Sequence, residues 1–210
     1  MRKSEIIILG IILISFAIGI YLYSQMPEKM ASHWNTQGQA DGYLTRFWGL
    51  FLMPIISIGL LALFTLIPKI DPLKANIEKF RKYFDGFIVL MMFFLFYVYI
   101  LTLLWNIGLR FDMGQLMIPA LGMLFYYAGI LMENAKRNWF IGIRTPWTLS
   151  SERVWDKTHK IGSKLFKIAG IIALMGVFFP QYMIFMIMIP VISFSIYTLV
   201  YSYFEYQKEL

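Results

Sequence analysis

Long apolar runs recur along the chain and are separated by short polar segments. Taking about 20 residues for each bilayer crossing, the runs predict transmembrane helices over residues 5–24, 47–67, 87–107, 115–133, 163–180 and 183–204. The first run ends in Tyr-Ser-Gln-Met-Pro without the small-residue cleavage site of a signal peptide, so we expect this span to be retained. The pattern predicts an all-α, polytopic membrane helical bundle.

Composition agrees with a membrane location. Hydrophobic residues make up 59% of the 210 residues and charged residues 15%, which is more apolar surface than a soluble core of this size buries. The net charge of +7 is spread between the apolar runs rather than along one soluble face, so direct nucleic-acid binding is not predicted. The chain has no cysteine, which excludes disulfides, thiolate metal sites and cysteine nucleophiles. We expect no cofactor.

The distribution of lysine and arginine predicts the orientation. Alternate loops hold 16 of these residues on one side and 3 on the other. Because cytoplasmic loops retain positive residues, both termini and the loops 68–86 and 134–167 are expected inside the cell. The 24–46 loop with His33 is expected outside, on a multi-pass protein of the cell membrane.

The segment before the fifth span has helical features. Ser150 or Ser151 can cap a helix that runs through Trp155 and His159 into the span. We therefore predict a cytoplasmic, interfacial amphipathic helix there. Its basic residues recur at intervals of three or four and form a stripe suited to anionic lipid headgroups; they are Arg153, Lys157, Lys160, Lys164 and Lys167.

Transport and metal chemistry find little support. None of the predicted spans carries a charged residue at mid-membrane, where a transporter usually keeps one. His33 and His159 are predicted on opposite faces, so they cannot share a metal ion. Met113, Met117 and Met183 suggest a Cu(I) site. Filling gaps in an apolar interior is nevertheless the more common role of methionine.

Hydrolysis is also disfavoured. The inner loop contains Ser150, Glu152, Asp156 and His159, which are nominally sufficient for a triad. No elbow of the Gly-x-Ser-x-Gly kind fixes a nucleophile among them. We predict that the protein is not an enzyme.

Two loops contain residues beyond those needed to connect two helices. In the outer one, Asn35-Thr36-Gln37-Gly38 and Ala40-Asp41-Gly42 are both turn-forming, so the loop is either an ordered cap or a ligand contact. In the inner one, Gly142 and Pro146 flank Arg144, which lies among apolar neighbours. That arginine must find carbonyls, a carboxylate, a lipid phosphate or a tryptophan face, and either anchoring or recognition explains it.

These loops carry a family resemblance. The run P-E-K-M-A-S-H-W-N-x-x-G-x-x-D-G, residues 27–42, resembles a membrane module of unknown function. The run N-W-F-I-G-I-R-T-P-W-T-L, residues 138–149, continuing to V-W-x-x-T-H-x-x-G at 154–162, resembles the signature of SdpI-type immunity proteins. The two modules commonly occur in this order. The resemblance divides the chain into residues 1–108, with the outer loop 24–46, and residues 109–210, with the cytoplasmic loop 134–167.

The resemblance implies a protein that protects its cell from a secreted, membrane-active peptide toxin. In the founding member it also implies capture of an ArsR-like repressor at the membrane. Toxin-contact candidates are then His33, Trp34, Asn35, Gly38 and Asp41. Cytoplasmic partner candidates are Asn138, Gly142, Arg144, Thr145, Pro146, Trp147, Thr148, Trp155, Thr158 and His159.

Two other functions stay open at the level of sequence. A lipid-handling protein or enzyme would use Arg144 on headgroup phosphate and His159 as acid or base, with Glu152 or Asp156 as its partner. A small-molecule or metal exporter would use methionine-lined spans.

Overall fold

The computed structural model describes residues 2–210 and is built almost entirely of helices. Six helical segments in this part of the chain are long and apolar enough to cross a membrane, which confirms the predicted all-α polytopic bundle. In chain order the elements are α1 (Lys3–Leu22), β1 (Lys29–Trp34), β2 (Ala40–Thr45), α2 (Arg46–Ile70), α3 (Lys74–Lys79), α4 (Arg81–Asn106), α5 (Met113–Asn134), α6 (Pro146–Ser150), α7 (Glu152–Met175) and α8 (Met183–Gln207).

The fifth spanning helix begins earlier than the apolar run alone indicates. Ser151 is the N-cap of α7, and its Oγ accepts a hydrogen bond from the backbone N–H of Val154 at 3.2 Å. The amphipathic segment and the apolar segment therefore form one continuous helix. Between α7 and α8 the chain makes two short 3₁₀ turns, Gly176–Phe178 and Pro180–Tyr182.

The outer loop is a β-hairpin, which the sequence pattern did not indicate. Strands β1 and β2 pair antiparallel. Of the two turns expected there, the one at Asn35 is present, whereas the one at Ala40-Asp41-Gly42 is wrong because these residues lie in β2. Gly42 pairs with His33 at an irregularity of the register, and a side chain at Gly42 would meet the His33 Cβ at 2.8 Å. Glycine there makes room for the histidine rather than bending the chain.

One compact unit comprises Met1–Phe64 and Ile88–Met117. Its buried core contains Met26, Met30, Leu50, Tyr99 and Leu103. The Tyr99 hydroxyl donates to the Ser15 carbonyl at 3.1 Å, so its polar end is satisfied inside the apolar core. Met26 lies between α1 and β1, and Met30 lies in β1 and joins the hairpin to the apolar core of this unit.

The second compact unit comprises Thr65–Phe87 and Ile118–Leu210. Helices α5 and α7 approach each other through glycines. A Cβ added at Gly170 would lie 2.6 Å from the Gly122 carbonyl, and one added at Gly129 would lie 2.6 Å from the Ser163 carbonyl. Such small-residue contacts let helices pack backbone to backbone in a membrane.

Candidate functional site

The hairpin is held in place by a side chain from the end of α4. Asn106 accepts a hydrogen bond from the Ala31 N–H at 2.8 Å and donates one to the Ala31 carbonyl at 3.0 Å. The amide thus pairs with β1 as a neighbouring strand would, and Ala31 is buried beneath it. This anchor fixes the strand that carries His33 and Trp34.

The tip of the hairpin is shaped by Asn35. Its Oδ1 accepts hydrogen bonds from the N–H groups of Gln37 at 3.0 Å and Gln39 at 2.9 Å. Gly38 adopts a φ of +74° in this turn, a conformation that favours glycine. Two of the predicted toxin-contact residues, Asn35 and Gly38, therefore set the shape of the tip.

The exposed chemistry of the hairpin is a pair across its strands. His33 Nδ1 lies 2.5 Å from Asp41 Oδ1, and the two side chains are 71% and 45% exposed. Trp34 packs edge-on against Trp105, with ring centroids 5.5 Å apart. The indole N–H of Trp34 is buried and finds no acceptor among residues 2–210. Of the five toxin-contact candidates, His33 and Asp41 are thus the exposed residues, whereas the other three are partly buried.

The signature segment begins with a self-contained turn around Asn138. Its amide donates to the carbonyls of Lys136 at 2.8 Å and Ile141 at 2.9 Å, and its Oδ1 accepts from the N–H groups of Phe140 and Ile141 at 2.9 and 2.6 Å. The side chain is fully buried. Asn138 therefore holds the loop together and has no surface to offer a partner.

His159 is likewise built into the structure. Its Nδ1 lies 2.9 Å from the Trp155 carbonyl, and its Nε2 accepts the Ile143 N–H at 3.0 Å. These partners require the proton on Nδ1 of a neutral ring. The ring stacks on Trp155 with centroids 3.9 Å apart, and Trp155 itself donates to the Ala135 carbonyl at 2.9 Å. Both ring nitrogens are occupied, which leaves no free atom for acid or base chemistry.

Gly142 explains why the backbone can pass close to this ring. Its φ is +111°, and a Cβ at this position would collide with His159 Nε2. Gly162, the last residue of the signature, packs against the Ile143 side chain in the same way. Thr158 lies on the same helix and is fully buried.

Thr145 and Thr148 start the short helix α6 by capping each other. The Thr145 N–H donates to Thr148 Oγ1 at 2.9 Å, and the Thr148 N–H donates to Thr145 Oγ1 at 3.2 Å. Pro146 occupies the first helical position, where its missing N–H does no harm. The Thr145 hydroxyl also lies 3.0 Å from the Ser202 hydroxyl on α8.

The last turns of α8 contact the signature repeatedly, and none of these contacts was predicted. Tyr203 lies edge-on against Trp147, with centroids 5.1 Å apart. Glu209 accepts from Ser151 Oγ at 3.0 Å and lies 3.9 Å from Arg153. Ser202 thus contacts the N-cap of α6, Tyr203 contacts α6, and Glu209 contacts the first residues of the α7 segment. We call residues 202–209 the C-terminal clamp.

A buried carboxylate lies at the centre of the C-terminal clamp. Glu205, whose side chain is 5% exposed, lies 2.6 Å from Lys157 Nζ and 2.5 Å from Lys208 Nζ. The hydrogen bond that Lys208 donates to the Glu205 carboxylate raises the pKa of Lys208. The sequence signal was an acidic residue at the end of a span, opposite a basic stripe.

The basic stripe is partly neutralised inside the unit. Lys157 pairs with Glu205, and Lys167 lies 2.6 Å from Glu133. Lys160 and Lys164 are exposed, and within residues 2–210 no carboxylate pairs with them. Those two lysines carry the part of the stripe that is open to an anionic surface.

Arg144 resolves one of the alternatives left by the sequence, because its Nη1 donates to the backbone carbonyl of Trp139 at 2.9 Å. Trp139 has a second backbone contact, because its N–H donates to Asp71 Oδ2 at 2.9 Å. Asp71 follows α2 and is 68 residues away in sequence, so nothing local indicated its role. Asn76 adds a second tie by donating to the Arg137 carbonyl at 2.9 Å.

Comparison with known proteins follows the same two segments. Residues 134–202 match the SdpI/YfhL protein family, and residues 10–58 match a domain of unknown function, DUF1648. The chain is 26% identical over 207 residues to a protein named immunity protein SdpI from Bacillus subtilis (strain 168), covering 98% of this chain and 97% of that protein. The chain is therefore similar to SdpI-type proteins along nearly its whole length. No solved structure matches this chain.

Sequence similarity and hydropathy together identify the location of the chain. The six apolar helices within residues 2–210 and the similarity to SdpI indicate a multi-pass protein of the cell membrane. The matched segment 134–202 extends from the end of α5 to Ser202, so it includes the signature turn, α6, α7 and most of α8. The residues that the family model recognises are thus those that pack into one compact unit.

Proposed function

We propose that this chain is an integral membrane immunity protein that protects its cell against a secreted, membrane-active peptide toxin, which it meets at the hairpin. The observation that carries the proposal is the exposed His33–Asp41 pair, 2.5 Å apart on a hairpin whose backbone Asn106 holds in place. A rigid hairpin loses little conformational entropy when a ligand binds, which favours recognition. The similarity to immunity protein SdpI over nearly the whole chain supports the same function.

The hairpin offers more than one kind of contact to a peptide. His33 and Asp41 provide polar groups, and Tyr43 on β2 is 56% exposed. An apolar, cationic or amide-rich peptide would find an acceptor, a donor and an aromatic face within one small surface.

The inner signature supports binding better than catalysis. His159 uses both ring nitrogens on backbone groups, and Thr145 and Thr148 are buried in mutual hydrogen bonds. A lipid enzyme that used His159 as acid or base would need one of those atoms free. For export through methionines, Met113 and Met183 are both buried, and Met183 belongs to an apolar cluster with Ile118, Ala173 and Ile187, as expected for a packing residue.

Capture of an ArsR-like repressor stays a prediction of the resemblance. Its contact surface would consist of the exposed members of the signature. Among the described residues these are Trp139, Phe140, Gly142, Arg144 and Pro146, with Trp147 half-buried. We make this the second part of the proposal, and it depends on a cytoplasmic location of the signature.

A protection assay tests the proposal. The protein is expressed in cells that several membrane-active peptides kill, and survival is compared for the unaltered chain, Asp41→Asn and Ser32→Ala. Ser32 is an exposed residue of the same hairpin, on the paired strand β1, so Ser32→Ala is the matched control at equal membrane abundance. We expect protection by the unaltered chain and by Ser32→Ala, and weakened protection by Asp41→Asn. Unchanged killing across the peptides with the unaltered chain would overturn the proposal.

A further inference from the structure

The backbone of Trp139 is fixed by two hydrogen bonds, and its indole ring is exposed. The Asp71 carboxylate accepts its N–H at 2.9 Å, and the Arg144 guanidinium donates to its carbonyl at 2.9 Å. Asp71 is 2% exposed, whereas Trp139 is 50% exposed. A residue whose backbone N–H and C=O are both hydrogen-bonded to charged side chains has little freedom to move, so the indole is presented in one position.

The surface around this ring combines aromatic and cationic groups. Phe140 is 37% exposed, and Lys136 and Arg144 are exposed as well. We call Lys136, Trp139, Phe140 and Arg144 the Trp139 corner. The nearby carboxylate of Asp71 is turned inward and used on the N–H groups of Leu73 and Trp139. What faces outward is therefore two rings and two positive charges.

The Trp139 corner also lies at the ends of two spanning helices. Helix α5 ends at Asn134, two residues before Lys136, and α2 ends at Ile70, next to the Asp71 that holds Trp139. Residues at span ends reach the headgroup zone, where tryptophan rings are enriched. Basic residues in that zone attract anionic lipids, with a free energy of about 1 kcal/mol for each lysine or arginine.

We propose that the Trp139 corner is a docking surface for anionic lipid headgroups, with Asp71 as its positioning residue. The two rings insert between lipids while Lys136 and the remaining donors of Arg144 meet the phosphate. Arg144 spends one donor on the Trp139 carbonyl, and a guanidinium has five. The inference does not rest on protection from a toxin, because it requires only the membrane location of these span ends.

The natural absence of cysteine permits a direct test with one introduced thiol. Phe140→Cys carries a fluorophore, and the labelled protein is placed in nanodiscs of phosphatidylcholine and phosphatidylglycerol in which one lipid or the other is brominated. Relative quenching by the two brominated lipids gives the preference for the anionic lipid at that position. Phe178→Cys is the matched control, since Phe178 is a 77% exposed aromatic residue in the 3₁₀ turn that follows the last residue of α7.

We expect phosphatidylglycerol to be preferred at position 140 by about fivefold for each contributing cation, and no preference at position 178. Adding Lys136→Gln should lower the preference by one such factor. Adding Asp71→Asn should lower it too and should increase the mobility of the label. The Lys136→Gln result decides the matter if Asp71→Asn fails to fold.

Two results would overturn the inference. Equal quenching by both lipids at position 140 would mean that the corner meets lipid without selecting charge. Absence of quenching at 140, with normal quenching at 178, would mean that the corner faces water or a protein partner. Neither result bears on the protection assay, so the two proposals fail separately.

Discussion

Arg144 donates a hydrogen bond from Nη1 to the backbone carbonyl of Trp139, 2.9 Å away, although the two residues are five positions apart in a segment without regular structure. The bond closes the signature turn from outside, while Asn138 closes it from inside. An arginine that was conspicuous in the sequence for its apolar neighbours thus stabilises the segment and keeps its other donors at the surface.

Because of this hydrogen bond, substitution of Arg144 should change the stability of the protein. We expect Arg144→Ala to lower the free energy of unfolding by about 1 kcal/mol, because one charge-assisted but exposed hydrogen bond is lost. Arg144→Lys should lose less, since a lysine can still donate to the carbonyl. Thermal unfolding in detergent measures both. Equal stability of all three proteins would show that the bond contributes nothing.

The two histidines should behave oppositely on substitution. His159→Ala leaves the Ile143 N–H without its acceptor and removes a ring stacked on Trp155, so we expect a loss of about 3 kcal/mol. His33→Ala, at a 71% exposed side chain, should leave the unfolding temperature almost unchanged. Denaturation of the two variants under the same conditions makes the comparison. A His159→Ala protein that is stable but has lost a chemical activity would instead support the hypothesis of a lipid enzyme that uses His159 as acid or base.

The glycine contact between α5 and α7 predicts a contrast between two Gly→Ala variants. At Gly170 the new Cβ would lie 2.6 Å from the Gly122 carbonyl and 2.7 Å from the Tyr126 nitrogen. Backbone atoms cannot move aside as a flexible side chain can, and we expect a loss of about 2 kcal/mol. At Gly59 nothing lies within 4 Å, so Gly59→Ala should be neutral or stabilising. Similar melting curves for the two variants would contradict the backbone-to-backbone packing.

The buried carboxylate of the C-terminal clamp predicts coupling between two lysines. Either Lys157 or Lys208 can still neutralise Glu205 when the other becomes alanine, because both lie within 2.6 Å of it. The double variant leaves the carboxylate unpaired, so its loss of stability should exceed the sum of the single losses. Arg153→Ala, which removes a contact of 3.9 Å to Glu209, is the matched control. Strict additivity of the Lys157 and Lys208 effects would show that Glu205 does not join them.

Much of the fold could be predicted because hydrophobicity alone determines it. The apolar runs gave the six spans, and Ser151 was one of two serines expected to cap the helix that it does cap. These features are local, since a span requires a run of apolar residues and a cap requires a side-chain oxygen at one position. Arg144 was recognisable for a similar reason, as a charge among apolar neighbours.

The hairpin and Asp71 could not be predicted because their partners are distant. The strand Lys29–Trp34 has no alternating pattern, and it is fixed by Asn106, 75 residues beyond Ala31. Asp71 looked like an ordinary polar residue after a span, and its partner Trp139 lies in another segment. Short strands depend on tertiary contacts more than on their own sequence.

The most direct test of the account is the sidedness of the hairpin and the signature. One cysteine is introduced at Gln37, on the exposed hairpin tip, and another at Ser150, an exposed residue of α6. Intact cells are treated with a membrane-impermeant thiol reagent and then permeabilised. The account predicts that position 37 reacts in intact cells and that position 150 reacts only after permeabilisation. Reaction of position 150 in intact cells while position 37 is spared would contradict it.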